Sequence, residues 1–122
     1  MAQKRILIVD DEPFFVEPIR MALERSGFEV LTAEDGMTGI DLAREATPDL
    51  IILDLMLPGV NGFQVCRLLK FDNQYSHIPI IILSAKDTEK DKDIGQQCGS
   101  DLYMTKPVKM DELINHINTL TS

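Results

Sequence analysis

Short apolar runs recur along the chain, each closing on polar residues, and stretches with helical spacing separate them. Arg5 to Val9, RILIV, ends in Asp10 and Asp11. Leu50 to Leu57, LIILDLML, carries one carboxylate, Asp54, near its end. Ile80 to Leu83 is closed by Ser84, and Leu102 to Thr105 leads into Lys106-Pro107. Glu29 to Ala33 alternates modestly and suits an edge strand. The run at 50–57 is bounded by Pro48 and by Pro58-Gly59. It is too short to cross a membrane and has the apolar content of a parallel strand buried on both faces. An ionised Asp inside such a run costs several kcal/mol to bury unless it is paired or bound to a metal, so Asp54 is expected where the run meets a surface.

Between these runs the period changes to that of a helix. Phe15, Val16, Ile19, Ala22 and Leu23 form one inner face that stops near Gly27. Pro18 lacks the N–H that a helix interior needs, so this helix is expected either to begin after Glu12 or to bend at Pro18. Asp35 is placed to cap a helix running through Ala46, with Met37, Ile40 and Ala43 inward. Pro58, Gly59, Asn61 and Gly62 make a loop, after which Phe63, Cys66 and Leu69 repeat at helical spacing. Asp87 to Cys98 is almost wholly polar, with Ile94 and Cys98 as its few inward positions and Gly95 inside, so a marginal helix is expected. Met110, Leu113, Ile114, Ile117 and Leu120 give a closing amphipathic helix.

Five strands alternating with five helices imply a parallel sheet wound on both sides, because right-handed crossovers place helices over both faces. Asp10, Asp11, Asp54, Ser84 and Lys106 each follow an apolar strand and therefore collect at one edge, where open α/β sheets bind ligands. Carboxylates packed together repel one another unless a cation joins them. Mg²⁺ suits this set, since it takes hard oxygen ligands and commonly keeps waters and a phosphate in its shell. Ca²⁺ suits it less, because its loops draw ligands from one contiguous segment.

Composition narrows the function classes. The chain has 122 residues and 44% hydrophobic content, enough for one domain with a core, and no repeat, low-complexity tract or linker divides it. The net charge of −8 leaves no clustered Lys and Arg for nucleic acid or an anionic membrane. The two cysteines, Cys66 and Cys98, have no metal-binding spacing and read as small reduced hydrophobes. The N-terminal MAQKRILIV is too short an apolar segment for a signal peptide, so a cytoplasmic location is expected.

The ordered set of DDE at Asp10, Asp11 and Glu12, LDLMLPGVNG around Asp54, LSAK ending in Lys86 and YMTKP around Lys106 resembles the phosphoacceptor receiver domain of bacterial two-component response regulators. The resemblance covers the whole chain, residues 1–122, as one receiver domain. It implies a flavodoxin-like, three-layer α/β fold with strand order 2-1-3-4-5. It further implies that Asp54 accepts a phosphoryl group from a phosphohistidine on a sensor histidine kinase or phosphotransfer protein. Asp11 and Asp54 would ligate Mg²⁺ directly, Asp10 mainly through water, and Met56 through its backbone carbonyl. Ser84 and Lys106 would bind phosphoryl oxygens, Ser84 and Tyr103 would act as switch residues, and Lys106-Pro107 would be cis.

On this resemblance the chain is a signalling phosphoacceptor that catalyses its own phosphorylation and dephosphorylation, rather than an enzyme acting on a metabolite. Its fourth helix, fifth strand and closing helix would signal to an output domain or partner protein, and the family usually pairs as a homodimer through that face. Direct nucleic-acid binding and membrane association are not expected of it. Read without the resemblance, Tyr103 is equally a half-buried strand aromatic and Glu12 a solvated helix-start acid. The sequence departs from the family at Pro18, at Lys109 where a capping Asp is common, and at Ser84 in place of the commoner Thr. Met56 and Lys86 flank the site. An aspartyl phosphatase would want a second acid where Met56 stands, and a flavin module would want a phosphate loop in place of DDEPFF.

Overall fold

The structure, a computed structural model, describes residues 3–85 and 89–122, with the side chains of Asp91, Ile94 and Gly95 left out. Its elements alternate without exception: β1 (Arg5–Val9), α1 (Pro13–Arg25), β2 (Glu29–Ala33), α2 (Gly36–Ala46), β3 (Leu50–Leu53), α3 (Gly62–Lys70), β4 (Ile80–Ser84), α4 (Glu89–Gln97), β5 (Leu102–Thr105) and α5 (Met110–Thr121). The strands form one sheet in the order β2-β1-β3-β4-β5, every neighbouring pair parallel. The expected doubly wound α/β architecture and the edge position of β2 are both present.

The three central strands are buried on both faces, which is why they read as unbroken apolar runs. Strand side chains alternate between faces, so the core divides in two. Leu7, Val9, Ile51, Leu53, Ile80 and Ile82 meet Ile40 and Ala43 of α2 and Val65, Cys66 and Leu69 of α3. Ile6, Ile8, Leu50, Ile52, Ile81 and Leu83 meet Val16, Ile19 and Leu23 of α1 and Leu113 and Ile117 of α5.

Local chemistry sets the helix boundaries. Helix α1 begins directly after Glu12, with Pro13 at its first position where a missing N–H costs nothing. Pro18 stays inside the helix, on the exposed side with Phe14, the residue whose carbonyl it cannot serve. Asp35 caps α2 through the Thr38 N–H, as expected. Met37 is not inward, however: it is 56% exposed. Glycines turn the helix, because Gly36 and Gly39 let its backbone approach so closely that a Cβ at Gly39 would lie 2.9 Å from Val9. The buried row is therefore Gly36, Gly39, Ile40 and Ala43. Helix α3 opens on a reciprocal capping box between Asn61 and Gln64. The expected start of the polar helix at Asp87, and Lys86 before it, lie outside the described residues, as does the inward packing of Ile94. Cys98 follows α4 instead of ending it, and is buried.

Candidate functional site

Strand register brings the polar strand ends together. Val9 pairs with Leu53, so Asp10 and Asp54, the next residue on each strand, leave the sheet side by side. The Asp54 N–H donates to the Val9 carbonyl at 3.0 Å, and the Asp10 N–H donates to the Ala33 carbonyl at 3.0 Å. Ser84 pairs with Thr105 across the last two strands, and the Lys106 N–H donates to the Ser84 carbonyl at 2.8 Å.

Each buried aspartate then folds its own loop. The Asp10 carboxylate accepts the Glu12 N–H at 3.0 Å and the Asp54 carboxylate accepts the Met56 N–H at 3.1 Å, the local bonds by which Asp favours turns. The loop after Asp54 is fixed from below by Gly62. A Cβ there would stand 2.0 Å from the Asp54 carbonyl oxygen and 2.7 Å from the Leu55 Cα, so only glycine lets α3 start this close to β3.

Carboxylate oxygens of Asp10, Asp11, Glu12 and Asp54 lie within 4.8 Å of one another. Asp10 and Asp54 are buried, whereas Asp11 and Glu12 face solvent. Into this group reaches Lys106, whose Nζ is 2.9 Å from Asp10 Oδ2, 3.0 Å from Glu12 Oε1 and 3.3 Å from Asp54 Oδ2. The ammonium also stands over the Phe15 ring, 4.1 Å from its centroid, which adds cation–π attraction and shields it from water.

Burial pushes the Asp54 carboxyl above its ordinary value, and the nearby Asp10 charge adds to this against the Met56 N–H and Lys106. For Lys106 burial works downward but loses: hydrogen bonds to Asp10 and Glu12 and the charges of Asp54 and Asp10 hold it above the ordinary lysine value. The two directions are compatible because one cation serves several acids. Each acid receives only a share of it, while the cation receives all of theirs. A clustered set of hard oxygens with excess negative charge suits Mg²⁺ in its donor chemistry, and lacks the imidazole or thiolate that softer metals select.

Of the residues singled out from sequence, Asp10, Asp11, Asp54 and Lys106 converge directly, and Ser84 is fully buried at the adjoining strand end. Met56 contributes its backbone beside Asp54 while its side chain is exposed. Tyr103 is half-buried, pairs in register with Ile82 and packs against the α2–α3 side of the core; by alternation it shares a sheet face with Ser84. Lys106-Pro107 is cis. Two partners escaped the sequence reading. Glu12 was legible as the third of three consecutive acids, but its ion pair with Lys106 was not. Phe15 read only as core. A cleft of about 70 Å³ beside the acids is lined by Asp10, Asp11, Pro13, Val16, Glu17, Thr32 and Glu34.

The response regulator receiver domain matches residues 6–118. Among curated proteins, PilH of Pseudomonas aeruginosa is 45% identical over 116 residues, covering 95% of this chain and 96% of PilH. The alkaline phosphatase synthesis regulator PhoP of Bacillus subtilis is 48% identical over 104 residues, which cover 85% of this chain but 42% of PhoP. Among solved structures, the receiver domain of the sensor histidine kinase PA1611 of Pseudomonas aeruginosa, with a magnesium ion coordinated in its active site cleft, superposes with a TM-score of 0.91 at 28% identity, covering 98% of each chain. Among the described residues no helix is long and apolar enough to cross a membrane.

Proposed function

This chain belongs to the response regulator receiver family, and on that premise we propose that residues 1–122 act as one receiver domain that takes a phosphoryl group onto Asp54 and signals through its α4-β5-α5 face. The observation that supports this best is the state of Asp54: a carboxylate only 3% exposed, with Lys106 Nζ at 3.3 Å and three further carboxylates close by.

In this reading Asp11 and Asp54 would hold Mg²⁺, with Asp10 acting mainly through water and Met56 through its carbonyl. The ion supplies positive charge toward the oxygens of the transferring phosphoryl group. The chain's own residues do the rest. An Asp54 oxygen forms the new O–P bond as the N–P bond of the donor phosphohistidine breaks, and the electron pair leaves with the imidazole. Lys106 gives its ammonium to a phosphoryl oxygen, exchanging part of its contact with the acids for one with the incoming charge. Ser84 donates its hydroxyl to another phosphoryl oxygen, and Tyr103 responds on the same sheet face. The donor is a sensor histidine kinase or phosphotransfer protein. The same site also catalyses loss of the phosphoryl group to water.

Receivers are signalling modules, and the two relatives above differ in what surrounds them, one of nearly this chain's length and one more than twice as long. The target is therefore either an attached output domain or a separate protein, and the location is the cytoplasm. Pairing of two copies through the output face belongs to the same proposal.

Incubation with Mg²⁺ and acetyl phosphate tests the reading by intact mass. One phosphoryl group should appear on the native chain, and none on Asp54→Asn or after chelation of the metal. Equal uptake by Asp54→Asn would remove Asp54 from its role.

A further inference from the structure

The chain's two cysteines, 32 residues apart, meet in the folded protein. Cys66 lies in the buried row of α3 with Gly62, Val65 and Leu69, and Cys98 lies in the turn that follows α4. Both are fully buried. The Cys66 Sγ donates to the Cys98 carbonyl at 3.4 Å, which places the Cys98 backbone within one side-chain length of the Cys66 sulfur. The nearness of each thiol moves the other's ionisation, Cys66 upward and Cys98 downward.

Both sides of the contact are anchored. Gly99 takes a φ of +88° to reverse the chain after Cys98, and Asp101 is held by Lys70 Nζ at 3.0 Å and by the Ile80 N–H at 2.8 Å. Lys70 is itself the last residue of α3, so one ion pair fixes the spacing between α3 and the turn that carries Cys98. We propose that Cys66 and Cys98 form a reversible intramolecular disulfide, an oxidation site that ties the end of α4 to α3.

The chemistry balances with a peroxide as oxidant. The Cys98 thiolate attacks one peroxide oxygen, the O–O bond breaks and water leaves, giving a sulfenic acid on Cys98. The Cys66 sulfur then attacks that sulfur, the S–O bond breaks, and the sulfenic hydroxyl leaves as a second water with the proton of the Cys66 thiol. Cys98 is the better first nucleophile: the neighbouring Cys66 thiol and the Ser100 N–H hold its ionisation below the ordinary thiol value against burial, whereas the nearness of Cys98 and burial push Cys66 up. Entry of the oxidant needs local opening, and α4, with the sequence EKDKDIGQQ, has little apolar surface to resist it. In a reducing compartment such a bond is transient, as redox-sensing disulfides are.

Intact mass and thiol counting after unfolding test the proposal on the native chain treated with hydrogen peroxide. The expected product is a monomer that has lost two hydrogens, takes up no alkylating agent after unfolding, yields a linked Cys66–Cys98 peptide and regains both thiols with dithiothreitol. Cys66→Ser and Cys98→Ser should each abolish the linked peptide, and Cys66→Ala and Cys98→Ala provide the same test should the hydroxyl disturb folding. Two alkylatable thiols after treatment, sulfonic acid on a single cysteine, or a disulfide-linked dimer would each overturn it. None of these readouts involves phosphoryl transfer, so failure here leaves the receiver reading standing. Restriction of α4 by the bond does rest on that reading: the oxidised chain should respond less than the reduced one at α4 when beryllofluoride is added.

Discussion

Lys106 and Asp54 face each other across the mouth of the sheet at 3.3 Å, yet Asp54 has only part of the lysine's charge. The same ammonium lies closer to Asp10 and to Glu12, and burial outweighs what remains for Asp54. Without metal, the ionised carboxylate is therefore a cost to the fold.

Asp54→Asn should stabilise the metal-free protein at neutral pH. Because the folded-state ionisation of Asp54 is raised above its unfolded value, its contribution to stability is complete below the ordinary carboxylate value of 3.8. That contribution is lost as pH rises through the higher folded value. The asparagine variant lacks this loss. Urea unfolding from pH 4 upward in chelator should show the difference between variant and native chain growing with pH and then levelling. A difference independent of pH would show that Asp54 is not strained by burial.

Phe15 holds Lys106 from its apolar side. Phe15→Leu keeps a hydrophobe of similar bulk but removes the ring face under the ammonium, and should cost about 0.5–1 kcal/mol of stability. A double-mutant cycle with Lys106→Met should assign that loss to the pair. Independent, additive effects would mean that the aromatic serves packing alone.

Gly62→Ala should be costly out of proportion to its size. The added methyl meets backbone atoms at 2.0–2.8 Å, and backbone cannot swing aside as a side chain does. Overpacking of this kind typically costs about 1–3 kcal/mol. Because the displaced atoms belong to Asp54 and Leu55, phosphoryl uptake from acetyl phosphate should fall as well. A variant of native stability and native uptake would show that the loop has room to move.

Much of this was legible in the chain itself, for reasons that differ by residue. The central strands announce themselves because burial on both faces leaves no polar alternation, and Asp10, Asp54, Ser84 and Lys106 stand out because each interrupts or ends such a run. Asp35 was legible as a cap from its place before a helical period. Met37 faces solvent because Gly36 brings α2 against Val60 and Val65 and Gly39 brings it against Val9, a rotation of its face that periodicity cannot see. The Lys106 contacts with Glu12 and Phe15 join the two ends of the chain, 94 residues apart for the ion pair, and no local pattern encodes a pairing at that distance. The meeting of Cys66 and Cys98 escaped for the same reason.

Lys109 occupies the N-cap of α5 without a capping hydrogen bond, with its positive charge at the positive end of the helix dipole. Lys109→Asp supplies an acceptor for the first-turn N–H groups, of which that of Glu112 is served from within the turn by Asp111 at 2.9 Å, and reverses the charge, and should stabilise the protein by about 1 kcal/mol. Chemical denaturation checks this. An unchanged midpoint would mean that Asp111 and solvent already serve those amides as well as a capping side chain would.

The output face gives the most demanding prediction. Ser84 ends β4, and α4 begins five residues later with a sequence poor in apolar anchors, so a ligand that draws Ser84 toward Asp54 acts on a helix with few apolar residues in its sequence to hold it. Beryllofluoride with Mg²⁺ imitates the phosphoryl group, and should change amide hydrogen exchange in α4, β5 and the start of α5 while leaving the central strands as they were. Moving the population from 1:99 to 99:1 requires about 5.5 kcal/mol of preference for the active form. In the proposed reading the Ser84 and Lys106 contacts would have to supply that preference, and exchange intermediate between two limits would be the sign that they supply less. Replacing Ser84 with Ala should reduce the response at α4 more than at β3. If exchange changes evenly over the whole sheet, or not at all while the ligand is bound, signal passage through α4, β5 and α5 is wrong for this chain.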